Sequence, residues 1–169
     1  MDHATINFRV FEDGREHMGL ASVTLPNLNF ITQQINGAGI AGNVDYPVIG
    51  QIEAMELGIS FRTTQANAAK LAAPKRHTIE LRSAQQGDDP VAGTLTEDNV
   101  KHVFVIVPKT NTGGSVAPAS PVDGSGTYSA LYWKETINGK VTKEIDPLNF
   151  KCVIDGTDYL ANTRKILGY

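Results

Sequence analysis

The sequence holds one cysteine, Cys152, among 169 residues. An intramolecular disulfide is therefore impossible, which points to a reducing compartment. No stretch approaches the length of a membrane-spanning helix; the longest strongly apolar run is Val103 to Val107. The opening segment MDHATINFRVFEDG lacks the basic and apolar regions of a secretory signal. Synthesis in the cytoplasm and a soluble product without membrane anchoring are expected. Charge of one sign is also scarce. A net charge of -3 and a pI near 5.8 exclude a surface-wide attraction for nucleic acid or anionic membrane. The cationic cluster Lys75-Arg76-His77 is too small for strong phosphate affinity. One tryptophan and five tyrosines weaken any reading as a sugar-binding platform.

Reactive constellations are missing too. Of His3, His17, His77 and His102, none pairs with another histidine or with Cys152 at metal-ligand spacing. Cys152 alternates with Phe150 and Ile154, as a small buried hydrophobe would. His102 falls in an apolar strand and reads as structural. Ser22, Ser60 and Ser83 lie in strands without a nucleophile elbow. One motif invites chemistry: Gly37-x-Gly39-x-x-Gly42 has the glycine spacing of a dinucleotide loop. That loop requires a helix opening at its last glycines. The residues that follow, NVDYPVIGQI, include Pro47 and Gly50 and carry no helical period. The glycines read instead as a flexible loop that needs positive φ or close backbone approach. No cofactor, no metal and no enzymatic activity are expected.

What the chain does have is alternation with period two. Ile6, Phe8 and Val10 share a face, and an Asp13-Gly14 turn follows. LASVTLP ends at Pro26, and NFITQQI is a further strand. Met55, Leu57, Ile59 and Phe61 alternate with Glu56, Gly58, Ser60 and Arg62. Thr64 is placed to cap a helix over Gln65–Ala73, which Pro74 stops. HTIELRS and VAGTLTE read as short strands, and NVKHVFVIVPK as a central one. A Gly/Ser/Pro-rich loop near 110–126 precedes YSALYWKETI, where Leu131 and Trp133 are expected on one face. Asn138-Gly139 and Asp155-Gly156 are hairpin turns. In VTKEID, Thr142, Glu144 and Asp146 are expected opposite Val141 and Ile145. Leu160, Thr163 and Leu167 stand at helical spacing before Gly168. The fold class is mainly β: one domain over 1–169, an antiparallel sandwich or barrel with one short internal helix and a short terminal one.

Two stretches resemble a known family. The first is LASVTLPNLNFITQQINGAGIAGNVDYPVIGQIEAMELGISF, with its VTLP strand end, GAG loop and EAM strand. The second is INGKVTKEIDPLNFKCVIDGTDYLANTRKILGY, with EIDP-N followed by D-L---R--LG. Both are similar to the major tail tube protein of contractile-tailed phages and to the tube proteins of R-type bacteriocins. The resemblance implies a β-sandwich flanked by a helix, assembled into hexameric rings whose sheets join side by side. The rings stack into a hollow tube inside a sheath, as part of a virion. It implies contacts with the sheath, baseplate and tape-measure proteins, and with DNA only in transit through the lumen. A bacteriocin or type VI-like device without DNA passage is the alternative. The extended loop near 36–51 would then be an inter-subunit element, with Gly37, Gly39, Gly42, Asp45 and Tyr46 in it. The lumen wall would come from a polar strand face, either Glu56 and Ser60 or Glu144 and Asp146; an outer, sheath-facing surface is the other place for these faces. An enzyme working through the glycine loop and a monomeric binding module remain as rival classes.

Overall fold

The computed structural model describes residues 2–17 and 19–169. The side chains of Asp2, His3, His17 and Ala21 lie outside the described set, and the readings of His3 and His17 with them. The chain opens with a hairpin of β1 (Asp2–Glu12) and β2 (Arg15–His17), followed by β3 (Leu20–Thr24). A separate hairpin, β4 (Phe30–Ile35) and β5 (Val44–Ile52), leads to β6 (Met55–Phe61) and helix α1 (Ala66–Leu71). The long strands β7 (His77–Asp89), β8 (Thr94–Thr112) and β9 (Gly124–Ile137) come next. The chain closes with β10 (Lys140–Asp146), β11 (Lys151–Ile154), β12 (Thr157–Asp158) and helix α2 (Ala161–Leu167). Three two-residue turns have positive φ at both centres: Asp13-Gly14, Asn138-Gly139 and Asp155-Gly156. These are the twist-matched hairpin turns that Asn-Gly and Asp-Gly favour.

One antiparallel sheet runs in the order β12-β11-β10-β9-β8-β7-β1-β2, and β6 with β3 branches from it at β9. The branch point explains the architecture. Residues 124–130 of β9 pair with β6, whereas residues 133–137 pair with β10. Between them, at Leu131, the register against β8 slips. An extra residue of this kind bends a strand and shifts its side-chain alternation. Tyr128 and Ala130 are buried before it and Trp133 after it, while Leu131 is not. Leu131 and Trp133 therefore do not share a face, contrary to the period-two expectation. The bend folds the two halves of the sheet over one core. Leu57 and Ile59 of β6 meet Ile79 of β7, Phe104 of β8, Trp133 of β9 and Ile145 of β10 there. Leu71 seals it from α1 and Leu160 from the segment before α2.

Two histidines sit in this interior. His77 places Nδ1 2.5 Å from Glu12 Oε1 and Nε2 3.0 Å from the Ala73 carbonyl oxygen, joining β1, β7 and the exit of α1. His102 stacks on Phe104, and Trp133 Nε1 donates to its Nδ1 at 3.3 Å. Burial pushes the His102 pKa down, Glu135 pushes it up, and Lys143 pushes it further down. His102 is a packing residue, as its strand context suggests.

Other boundaries moved for identifiable reasons. Helix α1 is shorter than Gln65–Ala73, its N-cap is Gln65 rather than Thr64, and no side chain caps it. The strands expected over 77–83 and 91–97 belong to a long β7–β8 pair running out to Asp89 and Thr94, except that residues 91–93 lie in the turn between them and not in a strand. Gln85, Gln86 and Gly87 carry weak strand preference, but the ladders to β1 and β8 on both sides override it.

The terminal motif has a physical basis. Asp146 accepts from the backbone N–H and side-chain amide of Asn149, capping the 3-10 turn Pro147–Asn149. Arg164 donates to the Phe150 carbonyl at 2.6 Å and pairs with Asp158, fastening α2 to the sheet. Gly168 closes α2 at φ 81.

Trp133 is 3% exposed and touches Phe104 and His102. Trp133→Ala is expected to cost roughly 3–5 kcal/mol of stability. An unchanged denaturation midpoint would contradict a core role.

Candidate assembly surface

The β4–β5 hairpin is built as an arm. Its ladder pairs Ile35 with Val44, Gln34 with Asp45, Gln33 with Tyr46 and Thr32 with Pro47. Among the described residues no strand of the main sheet joins it. Opposed residues of an antiparallel pair share a face. One face therefore carries Ile35, Val44, Gln33 and Tyr46, flanked by Ile31 and Val48 two residues further along each strand. The other carries Gln34, Asp45, Thr32 and Pro47. The arm is amphipathic, yet its apolar face is uncovered: Ile31, Ile35, Val44 and Val48 are exposed and Tyr46 is 62% exposed.

The expected loop over 36–51 is thus corrected in its second half, where residues 44–52 form a strand. Pro47 and Gly50 argue against a strand in the middle of a sheet. They are tolerated in an arm whose outer edge needs no further hydrogen bonds. The residues that make this turn are Gly37, Gly39 and Gly42, at φ 148, 90 and 125. A Cβ at any of them would meet nothing within 4 Å. They supply backbone conformation and not close approach. A strand follows them, so the helix that a dinucleotide site requires is not there.

The arm is anchored at its base. The Glu53 backbone N–H donates to the Asn29 carbonyl at 2.8 Å. Leu28 and Ile52 pack against the core. Gly50 has φ +66, and a Cβ there would lie 2.4 Å from the Leu160 side chain. Beside this joint, Phe30, Pro47, Val48, Ile49, Ile154 and Tyr159 line an apolar groove of about 360 Å³.

The two polar strand faces differ. On β6, Glu56, Gly58 and Ser60 point away from the core, opposite Ser129, Thr127 and Ser125 of β9. Ser22 and Thr24 of β3 continue this surface on one side and Thr110 of β8 on the other. It is a field of hydroxyls in which Glu56 is paired with Lys109 at 2.6 Å. On β10, Glu144 accepts from Tyr132 at 3.0 Å and Lys151 at 2.9 Å. Lys151 holds the Glu144 carboxyl below its usual range against the opposing effect of burial. Burial, followed by the bond to Glu144, pushes Tyr132 up to about 12. Asp146 is committed to its cap. Thr142 does not share this face as expected, because the register slips between Val141 and Lys143. Its hydroxyl turns instead to Glu135, at 2.7 Å. The candidate residues therefore fall into three places: the arm, the hydroxyl face and the β10 face.

Among the described residues no three His, Cys, Asp or Glu side chains cluster to hold a metal. Cys152 is buried, and burial, with a smaller push from Asp158, raises its pKa and disfavours the thiolate.

Gly50→Ala forces both an unfavourable φ and a clash with Leu160. It is expected to destabilise the protein by roughly 2–3 kcal/mol. Gly39→Ala meets only the φ penalty, roughly 1–2 kcal/mol. Thermal denaturation of the two variants compares them; equal losses would contradict the packed joint.

Comparison with known proteins places the fold. No curated protein sequence matches the chain. Among solved structures, the sheath/tube terminator of an extracellular contractile injection system, PVC, in its extended state is similar in fold. Its TM-score is 0.54 at 13% identity, covering 78% of this chain and 94% of that one. The sheath-tube complex of the same system in its extended state gives a TM-score of 0.50 at 14% identity, covering 77% and 88%. These likenesses concern the fold alone. The family described as phage tail tube protein FII matches residues 2–168. With nearly the whole chain matched and the tube-type β fold in place, this protein belongs to the phage tail tube protein FII family.

Proposed function

We propose that the chain is the structural subunit of the inner tube of a contractile phage tail, forming hexameric rings that stack into a hollow conduit for DNA. The observation that carries this reading is the uncovered apolar face of the β4–β5 arm. An isolated two-stranded hairpin is at best marginally stable in water. Covering the remaining area of Ile31, Ile35, Val44, Tyr46 and Val48 is worth roughly 1 kcal/mol per side chain. A neighbouring copy is the natural cover, since every subunit of a ring presents the same arm.

Open sheet edges support the same reading. The four strands β3-β6-β9-β8 form a unit whose two outer edges are β3 and residues 107–112 of β8. Among the described residues neither edge has a ladder on its far side. Pairing β8 of one subunit with β3 of the next removes both edges, and a heterologous contact repeated by rotation closes into a ring. In such a ring the hydroxyl face of Glu56 and Ser60 lines the channel. A face of hydroxyls whose one carboxylate is matched by Lys109 carries no net positive charge to hold phosphate, which suits a wall past which DNA slides. The β10 face with Glu144 and Asp146 is then directed outward, towards the sheath protein. Baseplate and tape-measure partners and a place in the virion follow from the same role.

Removing Ala38 to Val48 with a short linker is expected to leave a folded β-protein that forms no tubes in negative-stain images. Normal polymerisation of that deletion would refute the inter-subunit role. Glu56→Lys puts a second cation beside Lys109 in every subunit. Tubes should remain intact while DNA ejection slows at least roughly tenfold, because rings of cations bind phosphate. Unaltered ejection with assembled mutant tubes would place Glu56 outside the channel.

A further inference from the structure

The two ends of the β7–β8 pair are oppositely charged. Strand β7 runs 13 residues from His77 to Asp89, roughly 40 Å in extended geometry. At its start lies a cleft of about 410 Å³ lined by Arg15, Lys70 and Lys75 with Glu12, Asp13, Glu16, Asn67 and His77. Arg76 is exposed immediately before His77. Arg15, Lys70 and Lys75 in the cleft and Arg76 at its rim are exposed; of the three carboxylates of the lining, Glu16 is matched by Arg9 and Glu12 by His77, so these cations outnumber the carboxylate that remains, Asp13.

The far end is acidic and apolar. Residues 85–99 hold Asp88, Asp89, Glu97 and Asp98 and no lysine or arginine. The turn between β7 and β8 is closed by hydrogen bonds: Asp89 accepts from the backbone N–H of Val91 and Ala92, and the Gly93 N–H donates to the Asp89 carbonyl. It presents Val91 at 95% exposure and Leu95 beside it. Asp98 is tied to Asn138, which fixes the adjoining hairpin to the same end.

We propose that successive copies dock end to end through these surfaces. The acidic β7–β8 turn of one copy enters the cationic cleft beside α1 of the next. The inference rests on the tube reading and supplies its axial contact, whereas the arm and the open edges supply the lateral one. Three features select a second copy as the occupant. The charges are complementary. The ordered turn can seat Val91 and Leu95 against the walls of the cleft. The surfaces lie at opposite ends of one strand pair, so the contact is heterologous and repeats along an axis without closing. Attraction of this kind between exposed groups is screened by salt.

The test uses the full-length chain with two charge reversals. One variant carries Ala92→Lys, Thr94→Lys, Thr96→Lys and Glu97→Lys at the turn, which makes that end net positive; the other carries Lys75→Glu and Arg76→Glu at the cleft, which makes it net negative. All six side chains are exposed, and circular dichroism establishes that each variant folds. Assembly is read by sedimentation and negative-stain microscopy. Each variant alone faces like charge with like, and tube mass should fall roughly tenfold or more while rings persist. An equimolar mixture of preformed rings should restore tubes, because each reversed surface then meets an opposite one. High salt should separate wild-type tubes into rings. Tubes from either variant alone at wild-type yield, a mixture that stays as rings, or salt-insensitive wild-type tubes would each overturn the end-to-end contact and leave the tube reading standing. A wild type that sediments as a monomer under all conditions would instead remove the tube reading, and this contact with it.

Discussion

An amphipathic two-stranded hairpin in water is an unfinished structure, and the β4–β5 arm is of that kind. Among the described residues no element of the chain covers Ile31, Ile35, Val44, Tyr46 and Val48. The arm is nonetheless held at a defined base, by the Glu53–Asn29 backbone bond and by Gly50 seated against Leu160. Local order at the root and missing cover along the length fit a segment whose second half of packing comes from elsewhere. The rest of the molecule closes its own core. The bulge at Leu131 turns β9 from one partner to another, closes the core beneath, and leaves two strand edges open on one four-stranded unit.

Much of the fold could be read from residue patterns, because local chemistry and tertiary structure agree there. Met55, Leu57, Ile59 and Phe61 alternate and are buried in alternation. The three Asn-Gly and Asp-Gly turns form where they are written. Reading failed where a longer-range constraint won. Leu131 fits a period-two pattern, but the change of partner at β9 inserts a bulge that no local window reveals. Thr142 fails for the same reason. Residues 44–52 carry Pro47 and Gly50, which mask a strand, although the alternation of Val44, Tyr46 and Val48 was there to be seen. Glu56, Ser60, Glu144 and Asp146 could be placed on outward faces. Their engagement with Lys109, Lys151, Tyr132 and Asn149 could not, because those partners lie across strands or beyond a turn.

The ionisable groups serve architecture. Asp158 and Arg164 fasten the last helix, Glu12 and His77 join a strand end to α1, and His102 with Trp133 fills the core. Asp158 is held below its usual range, first by Arg164. A depressed carboxylate stabilises the fold above its unfolded pKa, and that contribution fades as pH falls through the folded value. Loss of the α2 clamp therefore belongs to acid conditions, below the ordinary range of an aspartate. A scaffold tied down in this way can present unsatisfied surface at its arm and its sheet edges without losing its own shape.

The central claim is that the arm is completed by another copy of the chain. Hydrogen exchange of the backbone amides across 30–52, compared between unassembled and assembled protein, tests it most directly. Fast exchange is expected in the free subunit and strong protection in the assembly, with the anchored amide of Glu53 slow in both. Arm amides that exchange equally fast in both states would contradict it.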